Sequence, residues 1–281
     1  MKVISTESSQ ILGARVASAL RVPIVDVRFS RFPDGELYLQ AGPVDPEMTI
    51  VGSIVSNDSL VQLMLLVDAC EGAECRLVVP YMGYARQDKR FHPGEPLSAR
   101  AIARAISTGV SEVITVNIHE ESVLGHFEVP ARSVSLAAEI GRYLNGTGLE
   151  DPLVLAPDEG AMGFAAGVAT LGGWETDHLV KTRISGDEVS MAPKRLDVSD
   201  RDVFIVDDII STGGTIATAA GMLSSLGARS VSAACVHGVL SAGAYTHLTS
   251  AGIRDLICSD TIERGCSRIS ASPVIVEALL A

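Results

Sequence analysis

Val203-Phe204-Ile205-Val206-Asp207-Asp208-Ile209-Ile210-Ser211-Thr212-Gly213-Gly214-Thr215 is the stretch around which this 281-residue chain is organised. Its first four residues are apolar and β-branched or aromatic, which predicts a buried strand over 203–206. Asp207 and Asp208 follow where that strand is expected to end. A Ser-Thr-Gly-Gly-Thr turn comes next, and then Ile216, Ala219, Ala220 and Leu223 recur at helical spacing. In parallel sheets, ligands collect outside the carboxyl ends of the strands. Glycines let backbone N–H groups approach an anion, and a helix N-terminus adds the positive end of a dipole. The loop is therefore expected to hold a phosphate, with Asp207 and Asp208 placed for sugar hydroxyls or Mg2+. An ordinary strand-to-helix turn carries glycines too. Two acids ahead of Ser-Thr-Gly-Gly-Thr, after an apolar strand, favour the binding site.

Outward from this stretch, short apolar runs alternate with helical patterns. Strands are predicted at 3–4, 37–39, 49–55, 77–79, 113–118, 153–156, 203–206, 230–236 and 255–257. Helices are predicted at 10–20, 59–71, 97–108, 135–144, 161–171, 215–226 and 273–280. That rhythm predicts an α/β fold with largely parallel sheets flanked by helices. Asn145-Gly146-Thr147-Gly148 is the best linker, so an N-terminal domain is expected over 1–145 and a second over 146–266. Residues 267–281 are expected to form a C-terminal helix that returns to the first domain.

The composition narrows the classes. Lys plus Arg number 22 against 34 Asp plus Glu, a net charge of −12. An acidic chain without a basic block argues against long nucleic acid as a partner. Small phosphates need only a local nest, a cation and a few Lys or Arg. No apolar run approaches the roughly 20 residues that span a bilayer, and the N-terminus lacks a signal-peptide core. Cys70, Cys75, Cys235, Cys258 and Cys266 show no CxxC spacing. They read as buried thiols in a reducing cytoplasm.

Several polar clusters sit beside predicted strand ends. Phe32-Pro33-Asp34-Gly35-Glu36 suits a base and a ribose, although Pro-Asp-Gly alone makes a hairpin turn. Ser56-Asn57-Asp58-Ser59 would cap a helix at the carboxyl end of a strand, where a phosphate could rest. Arg86-Gln87, inside a segment from Tyr81 to Arg90 that holds three cations in all and two tyrosines, offers planar forks and stacking faces for a nucleotide. His119 follows 113–118 and Asp158 follows 153–156. An imidazole and a carboxylate there suit a shared Mg2+, although His119 alone reads as a loop histidine. Lys181 and Arg183, at i and i+2 of an extended run, face one side and suit a transferring phosphoryl group.

Taken in order, these segments resemble the ribose-phosphate pyrophosphokinase family, also called phosphoribosyl-pyrophosphate synthetases, of the phosphoribosyltransferase-like superfamily. The length favours the archaeal type. The resemblance implies two phosphoribosyltransferase-like domains, each a mainly parallel sheet flanked by helices. It implies Mg2+-dependent transfer of the diphosphoryl group of ATP to the C1 hydroxyl of ribose 5-phosphate, in the cytoplasm, with no membrane partner. Carried over by position, Phe32, Asp34, Gly35, Glu36, Arg86 and Gln87 bind ATP, residues 34–36 from a neighbouring subunit of a homo-oligomer. His119 and Asp158 are the metal positions. Lys181 is the catalytic lysine and Arg183 its partner, the latter also touching ribose 5-phosphate. Asp207 and Asp208 take the ribose hydroxyls, and Ser211, Thr212, Gly213, Gly214 and Thr215 wrap the 5-phosphate. Two departures stand out. Ser211 replaces an Asp common in bacterial and animal members, and Glu120-Glu121 follows His119 where many relatives carry smaller or amide side chains.

Overall fold

The computed structural model describes residues 1–149, 152–183, 189–193 and 197–281. In chain order the first elements are β1 (Lys2–Ser5), α1 (Gln10–Leu20), β2 (Val27–Arg31), β3 (Leu37–Ala41), β4 (Glu47–Val51) and α2 (Asn57–Ala69). There follow β5 (Glu74–Val79), α3 (Ser98–Ser107), β6 (Glu112–Val116), β7 (Ala131–Val134), α4 (Ala137–Asn145), β8 (Leu153–Ala156) and α5 (Met162–Ala169). The rest are β9 (Thr176–Arg183), β10 (Val189–Pro193), β11 (Asp202–Ile210), α6 (Gly214–Ser225), β12 (Ser230–Gly238), α7 (Ala244–Ser250), β13 (Ile253–Ser259), β14 (Ser267–Ile269) and α8 (Ser272–Leu280).

The chain separates into two compact units. One comprises Met1–Ser135 with Thr261–Glu263 and Ser270–Ala281, the other Leu136–Asp260 with Arg264–Ile269. The division falls before α4, not at Asn145-Gly146-Thr147-Gly148. The reason is packing: α4 lies against α5, and a Cβ on Gly141 would sit 2.4 Å from the Val168 carbonyl oxygen. Residues 267–281 also divide. Ser267–Ile269 pairs with β13 as a strand, and only Ser272–Leu280 is helical.

In the first unit, a sheet in the order β1-β4-β5-β6-β7 is parallel throughout. Its interior strands β4, β5 and β6 end in short, largely apolar, buried runs because helices cover both faces. Ile50, Leu77, Val79 and Val113 form a core with Leu63 and Leu66 of α2 and Ala99, Ala103 and Ile106 of α3. β2 and β3 make a separate antiparallel hairpin, paired from Val27↔Ala41 to Arg31↔Leu37. Its base is covered by α2. α8 lies on α1. The last turn of α8 is held by Arg76 Nη1, which donates to the Leu279 carbonyl at 2.6 Å. β2 and β7 escaped the pattern reading because both are short and polar (VRFSR and ARSV).

In the second unit, the sheet runs β10-β9-β8-β11-β12-β13-β14, with β10 antiparallel and the other pairs parallel. β11 lies between β8 and β12. Val203, Ile205, Leu153, Leu155 and Ala233 pack with Ala219, Ala220 and Leu223 of α6. That core holds β11 rigidly and carries its carboxyl end, with the loop beyond, into position.

Candidate active site

In the second unit, β11 extends beyond the predicted Val206 to Ile210, because Ile209 and Ile210 continue the ladder with His237 and Gly238. Asp207 and Asp208 are therefore inside the strand, near its carboxyl end, and half-buried. Burial and the neighbouring Asp208 carboxylate push the Asp207 carboxyl up to about 8, and Asp158 adds further repulsion. The Asp208 N–H, which donates to Asp207 Oδ1 at 2.9 Å, pulls the other way. Asp158 is exposed in the turn after β8, where its Oδ1 accepts the Ala161 N–H at 3.2 Å. Three carboxylates thus act on one small region, a concentration of hard oxygen donors and of negative charge.

The Ser211–Thr215 loop leads into α6. Gly213 is left-handed, with φ +76°. A Cβ there would also lie 2.9 Å from Leu248 Cγ of α7, so conformation and space both require glycine. The helix begins at Gly214, one residue before the predicted start, and the Gly213 carbonyl accepts the Ala217 N–H at 2.8 Å. The N–H groups of the first turn have no partner inside a helix and suit an anion.

In the first unit, the hairpin places Phe32, Asp34, Gly35 and Glu36 at its exposed tip. Pro-Asp-Gly chemistry closes the turn. Gly35 has φ +96°, the Gly35 N–H donates to the Phe32 carbonyl at 2.9 Å, and Asp34 Oδ1 accepts the Glu36 N–H at 3.2 Å. Phe32 meets Tyr38 edge to face at 5.5 Å. Arg31 ties the tip to the start of α2: Nη1 donates to the Gly35 carbonyl at 2.9 Å, and Nη2 pairs with Asp58. Ser56 closes a capping box with Ser59 there.

The segment after β5 reaches the same helix start. A Cβ on Gly83 would lie 2.3 Å from the Ile54 carbonyl oxygen, so this loop rests directly on the one after β4. Tyr84, left-handed at φ +67°, donates its hydroxyl to Asn57 Oδ1. Arg86 is exposed just beyond. Gln87 is tied to the start of α3: its Oε1 accepts from Ser98 Oγ at 2.5 Å and its carbonyl accepts the Ala99 N–H at 3.2 Å. Tip, α2 start and Tyr84 loop therefore share one neighbourhood. The Arg31–Asp58 and Tyr84–Asn57 contacts that join them were not foreseen, because sequence patterns do not report cross-segment pairing.

His119 is exposed in the first unit. β6 ends at Val116, earlier than the predicted 118, because Asn117 turns left-handed at φ +39°. Glu121 opens a 3-10 turn; nothing explains the choice of Glu120-Glu121. Lys181 and Arg183 end β9, paired with Met191 and Val189 of β10. Their side chains lie outside the described residues. A further loop, from β12 to α7, adjoins Ser211 through Ser241. The strand-end rule applied to 230–236 would have pointed to it.

An acid pair and a glycine loop at the carboxyl end of an interior parallel strand define a domain of the phosphoribosyltransferase type. Accordingly, residues 131–265 match the family model described as phosphoribosyl transferase domain, and residues 1–109 match that of the N-terminal domain of ribose phosphate pyrophosphokinase. The chain is 50% identical over 282 aligned residues to ribose-phosphate pyrophosphokinase of Methanosarcina acetivorans, covering 99% of each. It is 51% identical to that of Methanosarcina mazei, covering 99% of this chain and 95% of the relative. The crystal structure of phosphoribosylpyrophosphate synthetase from Mycobacterium smegmatis superposes with a TM-score of 0.85 at 27% identity, covering 100% of this chain and 97% of that one. The chain belongs to the ribose-phosphate pyrophosphokinase family and is an enzyme, a diphosphotransferase. Among the described residues, no helix is long and apolar enough to cross a membrane.

Proposed function

We propose that the chain transfers the diphosphoryl group of ATP to ribose 5-phosphate in the cytoplasm, giving 5-phosphoribosyl 1-diphosphate and AMP to supply nucleotide synthesis. The C1 hydroxyl oxygen forms a bond to the β-phosphorus while the bond from that phosphorus to the α,β-bridging oxygen breaks. AMP leaves with the bridging oxygen, and the hydroxyl proton passes to solvent. The observation that carries this reading is the acid pair and glycine loop of β11, together with the separate cluster of nucleotide-type side chains in the first unit.

The residues divide the work. Ser211, Thr212, Gly213, Gly214 and Thr215 hold the 5-phosphate, and Asp207 and Asp208 hold the ribose hydroxyls. Phe32, Asp34, Glu36, Arg86 and Gln87, with Gly35 shaping the tip, bind ATP. On the family resemblance, residues 34–36 serve the site of a neighbouring copy in a homo-oligomer. Lys181 and Arg183 meet charge that develops on the transferring group. His119 and Asp158 are the metal positions. Asp158, Asp207 and Asp208 would bring hard oxygen donors and negative charge that a Mg2+ would offset, while among the described residues no group of three or more His, Cys, Asp or Glu is set to hold the ion unaided. When bound, Mg2+ would supply positive charge to offset that of the phosphates.

The test is incubation with ATP, Mg2+ and ribose 5-phosphate. AMP formed one for one with 5-phosphoribosyl 1-diphosphate supports the reading; release of ADP instead would refute it.

A further inference from the structure

The loop between β12 and α7, Val239-Leu240-Ser241-Ala242-Gly243, is held in an unusual shape. Leu240 has φ +48° and Ala242 φ +51°, a region that side-chain-bearing residues seldom occupy. Such conformations persist where the surroundings over-determine them, and they concentrate at functional sites. Here the surroundings are plain. The Leu240 N–H donates to the Ile210 carbonyl and the Ser241 N–H to the Ser211 carbonyl, both at 3.1 Å. These bonds prolong the β11–β12 ladder past Ile210↔Gly238. Arg264 holds the base of the loop, with Nε donating to the Gly238 carbonyl at 3.2 Å and Nη2 to the Val239 carbonyl at 3.0 Å. The Ala244 N–H donates to the Ser241 carbonyl at 3.1 Å.

The result is that an exposed Ser241 hydroxyl stands 3.3 Å from Ser211 Oγ. We propose that Ser241 is a further phosphate-binding residue, its hydroxyl paired with that of Ser211 to grip the 5-phosphate of ribose 5-phosphate. This rests on the reading that residues 211–215 hold that phosphate. Each hydroxyl has one proton to donate. When two hydroxyls face each other, only one donates within the pair, which leaves the other proton for an outside acceptor. A phosphate dianion between them takes both protons. A second contact from the same segment, Leu248 against Gly213, sets the depth of the phosphate loop. The β12–α7 segment is thus the second wall of the phosphate site.

The experiment is calorimetric titration of the full-length protein with ribose 5-phosphate, beside steady-state kinetics, for wild type, Ser241→Ala and Ser241→Thr. Ser241→Ala is expected to weaken ribose 5-phosphate binding roughly tenfold to a hundredfold, the size of one hydrogen bond to a charged group. KM for ATP should stay within about twofold, since a local loss in the phosphate wall does not reach the nucleotide residues. Ser241→Thr keeps the hydroxyl and should bind like wild type. Wild-type affinity in Ser241→Ala overturns the proposal, as does a Ser241→Thr protein as weak as the alanine variant. A parallel loss for ATP would make Ser241 a purely structural residue and also overturns it. Should wild type itself fail to bind ribose 5-phosphate, the phosphate-loop reading falls, and this one with it.

Discussion

Gly213 of the β11–α6 loop and Leu248 of α7 are in contact so close that a methyl group on Gly213 would lie 2.9 Å from Leu248 Cγ. The same glycine is left-handed, at φ +76°. Gly213→Ala therefore meets two separate penalties. Overpacking and a left-handed alanine each cost about 1–3 kcal/mol. The expected outcome in urea unfolding is a loss of a few kcal/mol. Adding Leu248→Ala to that variant should remove the steric share and leave the conformational share. A double variant no better than Gly213→Ala plus the separate cost of Leu248→Ala would show that no clash is relieved.

Asp207 gives a pH dependence with a definite sign. Its carboxyl is raised from 3.8 to about 8 in the folded chain. Between those values the folded state binds a proton that the unfolded state has lost, so stability falls as pH rises across that window and is flat above it. Asp207→Asn should abolish this slope and unfold at a higher temperature at neutral pH. In wild type, Mg2+ should raise the melting temperature more at pH 8 than at pH 5. Parallel melting curves for the two proteins across this range would refute the assignment.

The same substitution separates the ligands. Above about pH 8, or where a bound Mg2+ offsets the like charge, Asp207 is a carboxylate, and hydrogen bonds from sugar hydroxyls to it are worth about 1.5–3 kcal/mol each. Asp207→Asn should therefore weaken ribose 5-phosphate much more than ATP. Calorimetry with each ligand checks it, and equal losses would remove Asp207 from the sugar site.

Arg31 serves position more than stability. Its pair with Asp58 is about half exposed on both sides, and such pairs contribute roughly 0–1 kcal/mol. Arg31→Ala should leave the melting temperature nearly unchanged but loosen the hairpin tip, which raises KM for ATP. A large fall in stability with an unchanged KM would reverse that reading.

Lys181→Ala is expected to lower kcat by about 10²–10³ with both KM values nearly unchanged, as for loss of a donor that acts in the transition state. Arg183→Ala should behave alike, and the double variant should lose less than the sum. A normal kcat with a raised KM would make Lys181 a binding residue.

Local pattern was enough for the α/β class and for most of the interior strands and covering helices, though not for β9 (Thr176–Arg183) or α7 (Ala244–Ser250). A parallel strand buried on both faces must be a continuous apolar run, and a helix on it must repeat its apolar residues every three or four positions. The candidate phosphate loop was legible for a related reason: Asp207, Asp208 and the Gly213-Gly214 turn lie within nine consecutive residues, 207–215. What lay between distant segments was not legible. The extension of β11 to Ile210 depends on His237 and Gly238 of β12. The place of α4 depends on the close approach of Gly141 to Val168. Ser241 reaches Ser211 only because neighbouring strands continue their ladder into both loops. These are pairings at long sequence separation, whose geometry is set by packing and backbone hydrogen bonds rather than by the composition of either segment; only the tertiary structure decided them.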